Sequence, residues 1–301
     1  MAHPLLENPV SAEVFKEAGE ALGFDLAGLI SEGPENELIL TSNAQPAILA
    51  TSLAVWRLLD KALGDSLRPA FVAGHSLGEF SALAAAGSLG IRDAVRLVRK
   101  RGKLMQNAVP AGVGAMAALV GGTEEDARAL VAAAASGDVL DVANLNAPGQ
   151  TVISGHAAAV HRAVAIAKDW GFKRAVQLKV SAPFHSRLMG PVREAFEREL
   201  LGYEFSAPDP PVVHNVTAEP NEDPSAIRGL LARQIDSPVR WVDSVRRMID
   251  GGVAAFVEVG YGTVLQGLVK KTAEHGWPGV IVGCAAPGDR AGTARPPTPR
   301  R

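Results

Sequence analysis

The stretch AFVAGHSLGEFSALAAA, residues 70–86, decides the fold. Its first four residues form a short apolar run that predicts a buried strand. The small residues from Ser81 to Ala86 predict a helix that packs closely on a sheet. The turn between them, Gly74 to Gly78, has the pattern of a nucleophile elbow, which would hold Ser76 above the sheet edge. The N–H groups that begin the following helix favour negative charge at the same point. A chance match in a glycine-rich chain is the alternative.

Strands and helices alternate on both sides of this turn. Helices are predicted at 11–23, 44–63 and 92–107. Toward the C-terminus, strands are predicted at 211–215, 253–259 and 279–283, with helices at 190–200, 226–235, 239–250 and 263–275. Such alternation predicts an α/β protein with a mostly parallel sheet covered on both faces. Within helix 44–63, the positions expected to form an apolar face are Ile48, Ser52, Val55, Leu59 and Ala62.

A compact insert interrupts this alternation. It has predicted strands at 113–120, 138–143, 150–154 and 173–180 and predicted helices at 123–135 and 156–170, the first with Thr123 as its N-cap. The order β-α-β-β-α-β is typical of a ferredoxin-like unit. We therefore expect a discontinuous large subdomain, residues 1–110 and 182–285, and a small subdomain, residues 111–181. Residues 286–301 are rich in proline, glycine, arginine and threonine, which predicts a disordered tail.

Composition narrows the class of function. Of the 301 residues, 47% are hydrophobic, which is enough for a large core. The formal net charge of −2 gives no reason to expect nucleic acid or a membrane surface as a partner. Cys284 is the single cysteine, so no disulfide can form within the chain, and we expect a cytoplasmic protein. We expect neither a secretory signal nor a membrane span, because no stretch has the required apolar length.

A serine nucleophile needs a base, and His185 is the best candidate. It lies in SAPFHS, residues 181–186, directly after the last strand of the insert, where a loop can face a cleft between two subdomains. A loop histidine without a catalytic role is an equal alternative. The other histidines are in less suitable places: His75 beside the serine on a turn that points it elsewhere, His156 and His161 on a helix, His214 in a strand, His3 at the terminus and His275 at a helix end.

Arg101 is the candidate for binding an acidic group. It lies late in helix 92–107, and an arginine fork holds a carboxylate through two parallel hydrogen bonds. A basic stripe on the same helix is formed by Arg92, Arg96, Arg99 and Lys103, spaced 4, 3 and 4 residues apart. Arg101 is off this stripe and need not share its exposure to solvent. A solvated basic face is the alternative for all of them.

Taken together, the motifs resemble those of the malonyl-CoA:acyl-carrier-protein transacylases of fatty-acid synthesis and the related acyltransferase domains of polyketide synthases. The matching segments, in the family's order and spacing, are GHSLGEFSAL (74–83), RGKLMQ (101–106), GAMAA (114–118), NLNAPGQ (144–150), PFHS (183–186), QIDSPVRW (234–241) and EVG (258–260). The resemblance covers residues 5–283. It implies an α/β-hydrolase-like core, with a mostly parallel sheet, and a ferredoxin-like inserted subdomain.

The resemblance also implies a reaction. Ser76 would attack the thioester of malonyl-CoA and hold the malonyl group as an ester, with His185 as base and then acid. The phosphopantetheine thiol of an acyl carrier protein would take the group in ping-pong order. Arg101 would hold the malonyl carboxylate and so separate malonyl from acetyl. The implied partners are malonyl-CoA and acyl carrier protein, with no cofactor or metal, and the implied state is a monomer.

Further site residues follow from the same resemblance. The backbone N–H of Leu77 would donate to the oxyanion. Gln234 would help to orient His185, partly through its backbone carbonyl. His75 and Asn146 would line the substrate cleft, and Phe184 would leave little room for an α-methyl branch.

The chain also departs from the family. The family begins with a strand and a Gly-Gln-Gly-Ser-Gln loop that carries a second oxyanion donor, whereas here Leu5 already aligns with the next helix. We expect a misassigned start codon, with a real N-terminal truncation as the alternative. Tyr261 stands where the family usually has proline, and residues after Ala285 do not resemble the family's last helix.

Alternatives remain for the surface that docks the carrier protein and for the function. An acidic carrier protein could dock on the basic stripe or on Lys173, Arg174 and Lys179, although an ordinary solvated face is equally compatible. A serine esterase or thioesterase shares the elbow, but its histidine is expected late in the chain and Arg101 has no role in it. An inactive truncated homologue that binds carrier protein is the other alternative.

Overall fold

The computed structural model describes residues 3–110, 112–180, 182–273 and 277–285. The predicted tail, 286–301, and His275 lie outside these ranges. Around the elbow, the elements are α1 (His3–Glu7), α2 (Pro9–Leu22), α3 (Leu26–Glu32), α4 (Glu35–Leu38), α5 (Thr41–Leu63), β1 (Val72–Ala73), α6 (Gly78–Ala85) and α7 (Ile91–Gln106). The sequence predicted the long helices to within a few residues and missed the short α1, α3 and α4.

The insert and the return to the large unit complete the chain. The insert comprises β2 (Gly114–Val120), α8 (Glu124–Ala135), β3 (Leu140–Ala147), β4 (Gln150–His156), α9 (Ala157–Ile166) and β5 (Arg174–Gln177). The elements that follow are α10 (Gly190–Leu200), β6 (Val212–Val213), β7 (Pro220–Asn221), α11 (Pro224–Gln234), α12 (Trp241–Asp250), β8 (Ala255–Val259), α13 (Val264–Thr272) and β9 (Val280–Cys284).

The insert forms a sheet with the strand order β3-β4-β2-β5, in which neighbouring strands are antiparallel. Its helices cover one face of that sheet through a core that includes Leu119, Leu130, Ile153 and Val160. Helix α8 begins as predicted at Thr123. The hydroxyl of Thr123 accepts from the N–H of Asp126, whose carboxylate accepts from the N–H of Thr123, so both free N–H groups are satisfied.

The large unit differs from the single sheet that the sequence predicted. Strand β1 pairs in parallel with β6, which also pairs with β7, whereas β8 pairs in parallel with β9. Within the described ranges these are two separate sheets. The strands β1 and β6 have two residues each, so their ladder is short. Apolar packing joins the two sheets instead, because Phe71 and Val213 share a cluster with Phe256 and Ile281.

Helix α5 exists as predicted, but its predicted apolar face is only partly right, because Val55 is buried whereas Ala62 is exposed. Ile48 is 48% exposed, and the buried positions are instead centred on Leu49, Leu53 and Ala54. The reason is tertiary: α5 packs between α2 and α7, and these two neighbours cover a side of the helix that only partly coincides with the one that spacing alone selects.

The main core lies beneath the elbow and fixes its position. Phe80 on α6 is fully buried and packs edge-on against Phe196 of α10, with 6.0 Å between ring centroids.

The insert contacts the large unit through backbone hydrogen bonds. The backbone of Val239 bonds to Ala143 and Leu145, so the segment before α12 runs beside β3. The two units therefore meet along this segment.

Candidate active site

The elbow residue Ser76 has a backbone φ of +50°, in the left-handed region. Non-glycine residues rarely adopt this conformation, which in nucleophile elbows exposes the serine hydroxyl. Gly74 is required for a different reason. A Cβ at this position would lie 2.0 Å from the carbonyl carbon and oxygen of Gly78, so no side chain fits. The motif therefore reflects a close approach of the two ends of the turn.

His185 contacts the nucleophile directly. Its Nε2 lies 2.8 Å from the Oγ of Ser76, and its Nδ1 lies 2.8 Å from the carbonyl oxygen of Gln234. A carbonyl only accepts, so Nδ1 carries the proton and Nε2 is left to accept from the serine hydroxyl. Burial, and then the positive charge of Arg101, lower the pKa of His185 to about 3. The imidazole is therefore neutral at physiological pH and has the protonation state of a base.

Arg101 is 1% exposed and approaches the same hydroxyl. Its Nη2 donates to the Oγ of Ser76 and to Oε1 of Gln234, each at 2.9 Å, and its Nη1 donates to Oε1 of Gln45 at 3.0 Å. Burial lowers its pKa to about 10, an effect that the negative charge of Glu79 opposes. The guanidinium stays cationic at neutral pH. Within the described ranges its Nε has no hydrogen-bond partner.

A buried carboxylate that the sequence analysis did not single out lies beneath these residues. Glu79 is 0% exposed and accepts from Nδ1 of His214 at 2.6 Å, from the N–H of Asn215 at 3.0 Å and from Nε2 of Gln234 at 2.8 Å. The same Gln234 amide nitrogen donates to the carbonyl of Ser76. A signal was available, because Glu79 is the one charged residue in the otherwise small and apolar helix α6.

His75 turns away from the nucleophile, as the sequence predicted. Its Nε2 lies 2.8 Å from Oδ1 of Asn146 on β3, and its ring packs at 5.7 Å from that of Trp241. Burial lowers the pKa of His75 more than the bond to Asn146 raises it, so the ring is neutral. An amide oxygen accepts, and Nε2 of His75 therefore donates. This bond connects the elbow of the large unit to the sheet of the insert.

Two predicted site residues remain: Leu77, which follows Ser76, and Phe184, which precedes His185. Leu77 precedes α6, and among the described residues no acceptor bonds its N–H, whereas the next N–H, of Gly78, donates to His75. Phe184 is half-buried and contacts both the main core and the cluster around Met116 on β2. It lies directly before His185, which itself has a φ of +57°.

The basic stripe is largely exposed, as a solvated face would be, although three of its four residues contact α2 or the segment after it. Arg92 forms ion pairs with Glu17 and Glu20, Arg96 donates to the carbonyl of Ala21, and Arg99 lies 4.2 Å from the centre of the Phe24 ring. The three basic residues near β5 are exposed as well, and they form no ion pair with a described residue: Lys173, Arg174 and Lys179.

The part of the chain that the structure describes contains neither a candidate metal site nor a membrane-spanning helix. No group of three or more histidine, cysteine, aspartate or glutamate side chains is placed to hold a metal ion. No helix in these ranges has the length and apolar character needed to cross a membrane.

Comparison with known proteins gives a consistent family. The profile of the acyl transferase domain matches residues 1–294. The malonyl CoA-acyl carrier protein transacylase of Bacillus subtilis (strain 168) is 47% identical over 264 residues, which are 87% of this chain and 82% of that protein. The protein of the same name from Escherichia coli (strain K12) is 46% identical over 266 residues, 88% of this chain and 85% of its own length.

Solved structures agree with the sequence relatives and share the mixed α/β fold. The malonyl-CoA:acyl carrier protein transacylase of Xanthomonas oryzae pv. oryzae KACC10331 superposes with a TM-score of 0.92 at 43% identity, covering 97% of this chain and 92% of that chain. A malonyl-transacylase solved in complex with a type II PKS acyl-carrier protein gives a TM-score of 0.90 at 41% identity, covering 95% and 92% of the two chains.

Proposed function

Because this chain belongs to the acyl transferase domain family, we propose that it transfers the malonyl group of malonyl-CoA to the phosphopantetheine thiol of an acyl carrier protein. The observation that carries the proposal is the contact of Arg101 with Ser76. A buried cation 2.9 Å from the nucleophile suits an acyl group that bears its own negative charge, as malonyl does and acetyl does not.

The first half-reaction is acylation of Ser76. Nε2 of His185 takes the hydroxyl proton as Oγ attacks the thioester carbonyl of malonyl-CoA. The carbonyl oxygen becomes an oxyanion, toward which the N–H of Leu77 and the start of α6 supply positive potential. When the carbon–sulfur bond breaks, His185 returns its proton to the sulfur of CoA. The malonyl group remains as an ester on Ser76.

The second half-reaction reverses these roles. The carrier-protein thiol gives its proton to His185 and attacks the ester, and the oxygen of Ser76 leaves with that proton. Because both half-reactions use one site in turn, the kinetics are ping-pong. The hydrogen bond from Nδ1 of His185 to the carbonyl of Gln234 keeps the ring in the same tautomer and orientation throughout. Ser76 and His185 exchange every proton, so we propose no cofactor.

Arg101 would hold the malonyl carboxylate during both steps. In the arrangement described, its Nη2 donates to the serine hydroxyl, and that donor can turn to the carboxylate once Oγ has become an ester oxygen. Hydrogen bonds to charged groups contribute about 1.5–3 kcal/mol, so losing the carboxylate costs on the order of tenfold to a hundredfold in discrimination. The charge of the substrate thus accounts for the preference for malonyl over acetyl.

The other predicted residues take supporting roles in this proposal. His75 and Asn146 bond each other across the two units and would line the cleft that receives the pantetheine arm. Phe184 beside His185 would restrict an α-methyl branch on the acyl group. For docking the acidic carrier protein, the exposed Lys173, Arg174 and Lys179 are favoured because no described carboxylate pairs with them. In the stripe, Arg92 and Arg96 already pair with acidic side chains.

We also propose the finer description of the fold. The insert, residues 111–181, would be a ferredoxin-like subdomain, which the strand order β3-β4-β2-β5 supports. Residues 1–110 and 182–285 would form an α/β-hydrolase-like subdomain, which the parallel pairing of β1 with β6 and the elbow after β1 support. A monomer in the cytoplasm fits this reading.

The test measures whether the malonyl group of labelled malonyl-CoA passes to the protein, to the carrier protein or to water. The protein is mixed with radiolabelled malonyl-CoA, and intact mass spectrometry looks for a malonyl adduct that is absent in Ser76→Ala. Acyl carrier protein with its phosphopantetheine arm is then added, and the label is counted on the carrier and as free malonate. Faster passage to the carrier than to water supports the transferase. Dominant hydrolysis supports the esterase alternative, and no adduct supports a non-catalytic homologue.

A further inference from the structure

The side chain of Asn215 bridges the two residues on either side of His75 in the elbow turn. Asn215 follows β6, is 0% exposed, and is 139 residues from Ser76 in sequence. Its Oδ1 accepts from the backbone N–H of Ser76 at 2.6 Å, and its Nδ2 donates to the backbone carbonyl of Gly74 at 2.8 Å. One carboxamide therefore satisfies two backbone groups on either side of His75, where a neighbouring strand would satisfy them in a regular sheet.

This bridge lies where the backbone needs support. Ser76 has a φ of +50°, a conformation that costs about 1 kcal/mol or more for a residue with a Cβ. The two hydrogen bonds of Asn215 hold the residue in that conformation, which sets the direction of the Ser76 side chain. A rotation of the turn would move Oγ away from Nε2 of His185, from which it now lies 2.8 Å.

Asn215 is itself held by a buried anion. Its backbone N–H donates to Oε2 of Glu79 at 3.0 Å, and the preceding His214 donates from Nδ1 to Oε1 at 2.6 Å. The same Oε2 also accepts from Nε2 of Gln234 at 2.8 Å, and Gln234 bonds both Arg101 and His185. Bonds to a buried carboxylate are stronger than neutral ones, so Glu79 holds Asn215 in a fixed place relative to the rest of the site.

We propose that Asn215 is a positioning residue for the nucleophile and that Glu79 is its anchor. The proposal rests on the proposed function, since Ser76 must be the residue that is acylated. Asn215 does not touch the reacting atoms. It acts through the backbone of Ser76, and its loss misplaces Oγ relative to His185 while leaving the groups that bind malonyl-CoA in place.

The test is single-turnover acylation by malonyl-CoA in full-length Asn215→Asp. The introduced carboxylate still accepts from the N–H of Ser76 but presents an acceptor to the carbonyl of Gly74. We expect the acylation rate constant to fall about 10²-fold, as for a misplacement of about 1 Å, with an unchanged half-saturating concentration of malonyl-CoA. The deficit shrinks as pH falls, because the protonated carboxyl regains its donor. Acylation at the wild-type rate overturns the proposal.

Asn221→Asp is the matched control. The side chain of Asn221 also donates to a backbone carbonyl and accepts from a backbone N–H, both of Asp223. Neither of these hydrogen bonds involves a residue of the elbow turn. We expect wild-type acylation from it. If both asparagine variants slow the reaction equally, the effect belongs to stability rather than to positioning, and the proposal fails.

Two further measurements keep the proposal testable. If Asn215→Asp does not fold, Asn215→Ala removes both hydrogen bonds to the elbow turn without adding a charge. Slower acylation at unchanged half-saturation supports the proposal, and wild-type acylation contradicts it. If wild-type protein is not acylated by malonyl-CoA, the proposed function fails first. Labelling by a fluorophosphonate, which needs only an activated serine, then decides the role of Asn215: slower labelling of Asn215→Asp than of Asn221→Asp supports it, and equal labelling overturns it.

Discussion

Nη2 of Arg101 lies 2.9 Å from the Oγ of Ser76, and Nε2 of His185 lies 2.8 Å from the same oxygen. The hydroxyl is thus placed between a buried cation and a neutral imidazole. Burial, and then the charge of this cation, lower the pKa of His185 and keep the imidazole neutral. Arg101 therefore has two effects at this site: it attracts an acyl group of opposite charge, and it adds to the effect of burial that keeps the base ready to accept a proton.

Replacing Arg101 with alanine should remove the preference for a charged acyl group. We expect kcat/KM for malonyl-CoA in Arg101→Ala to fall by about 10²-fold, the equivalent of about 3 kcal/mol for a lost charge-assisted pair. With acetyl-CoA the loss should be smaller, so the ratio of the two substrates falls. Steady-state transfer to carrier protein with each substrate measures this ratio.

Arg99→Ala provides the control for that change. Arg99 is two residues away on the same helix but stacks on Phe24 and has no contact with Ser76. Its loss should leave the malonyl-to-acetyl ratio unchanged. A malonyl preference that survives in Arg101→Ala would show that another group binds the carboxylate.

Gln45 should orient Arg101 for this task. It is 6% exposed on α5, and its Oε1 accepts from Nη1 of Arg101 at 3.0 Å. In Gln45→Leu the guanidinium loses one of its two side-chain amide partners, so we expect KM for malonyl-CoA to rise about tenfold with a smaller change in kcat. Gln106→Leu is the control, because Gln106 accepts only a long bond from the N–H of Ser42. Equal KM values in both variants would remove Gln45 from the substrate site.

The sequence predicted Ser76, His185 and Arg101 as site residues, which the structure brings together, and the resemblance predicted Gln234, which bonds His185. The other residues that hold this group were missed. Ser76 and its neighbours form a local turn whose glycine spacing has a steric cause at Gly74, and a local pattern can be read directly. Gln45 and Asn215 were missed, because they meet Arg101 and Ser76 across 56 and 139 residues of sequence. No periodicity encodes such contacts. They depend on how helices and strands pack in three dimensions.

The fold was likewise predicted where the signal is local in sequence and missed where it depends on contacts between distant segments. The order of strands and helices in the insert was predicted, since hydrophobic runs and the N-cap at Thr123 are local signals. The apolar face of α5 was predicted only in part, because the side that α2 and α7 cover is set by packing. Pairing of β1 with β6 joins segments about 140 residues apart in sequence, and the division of the large unit into two sheets was likewise beyond the reach of local patterns.

The capping box of the insert should affect stability without affecting chemistry. In Thr123→Ala the N–H of Asp126 loses its acceptor, and we expect the free energy of unfolding to fall by about 1 kcal/mol. Chemical denaturation of the purified variant measures this change. The rate of acylation should be unchanged, because Thr123 contacts no residue of the site. A slower acylation would mean that α8 influences the cleft through the sheet of the insert.

The depressed pKa of His185 should appear as a pH dependence of stability. Its pKa is about 3 in the folded protein against an ordinary value of 6.5 in the unfolded chain. Between these values the unfolded state binds a proton that the folded state does not, so stability falls as pH decreases from 6.5 toward 3 and is complete above 6.5. One such group contributes a slope of at most about 1.4 kcal/mol per pH unit. Denaturation of wild type and His185→Gln at a series of pH values between about 4 and 7 measures it, and we expect a shallower slope in the variant.

His161→Gln is the matched control for this measurement. His161 is exposed on α9, and no hydrogen bond joins its ring to a described residue, so its replacement should leave the slope as in wild type. The same pKa makes a prediction for activity. Because His185 remains neutral well below pH 6.5, kcat/KM for acylation should stay level from about pH 8 down to about pH 5. A decline centred near pH 6.5, together with equal slopes in wild type and His185→Gln, would mean that His185 is exposed to water rather than held between Gln234 and Ser76.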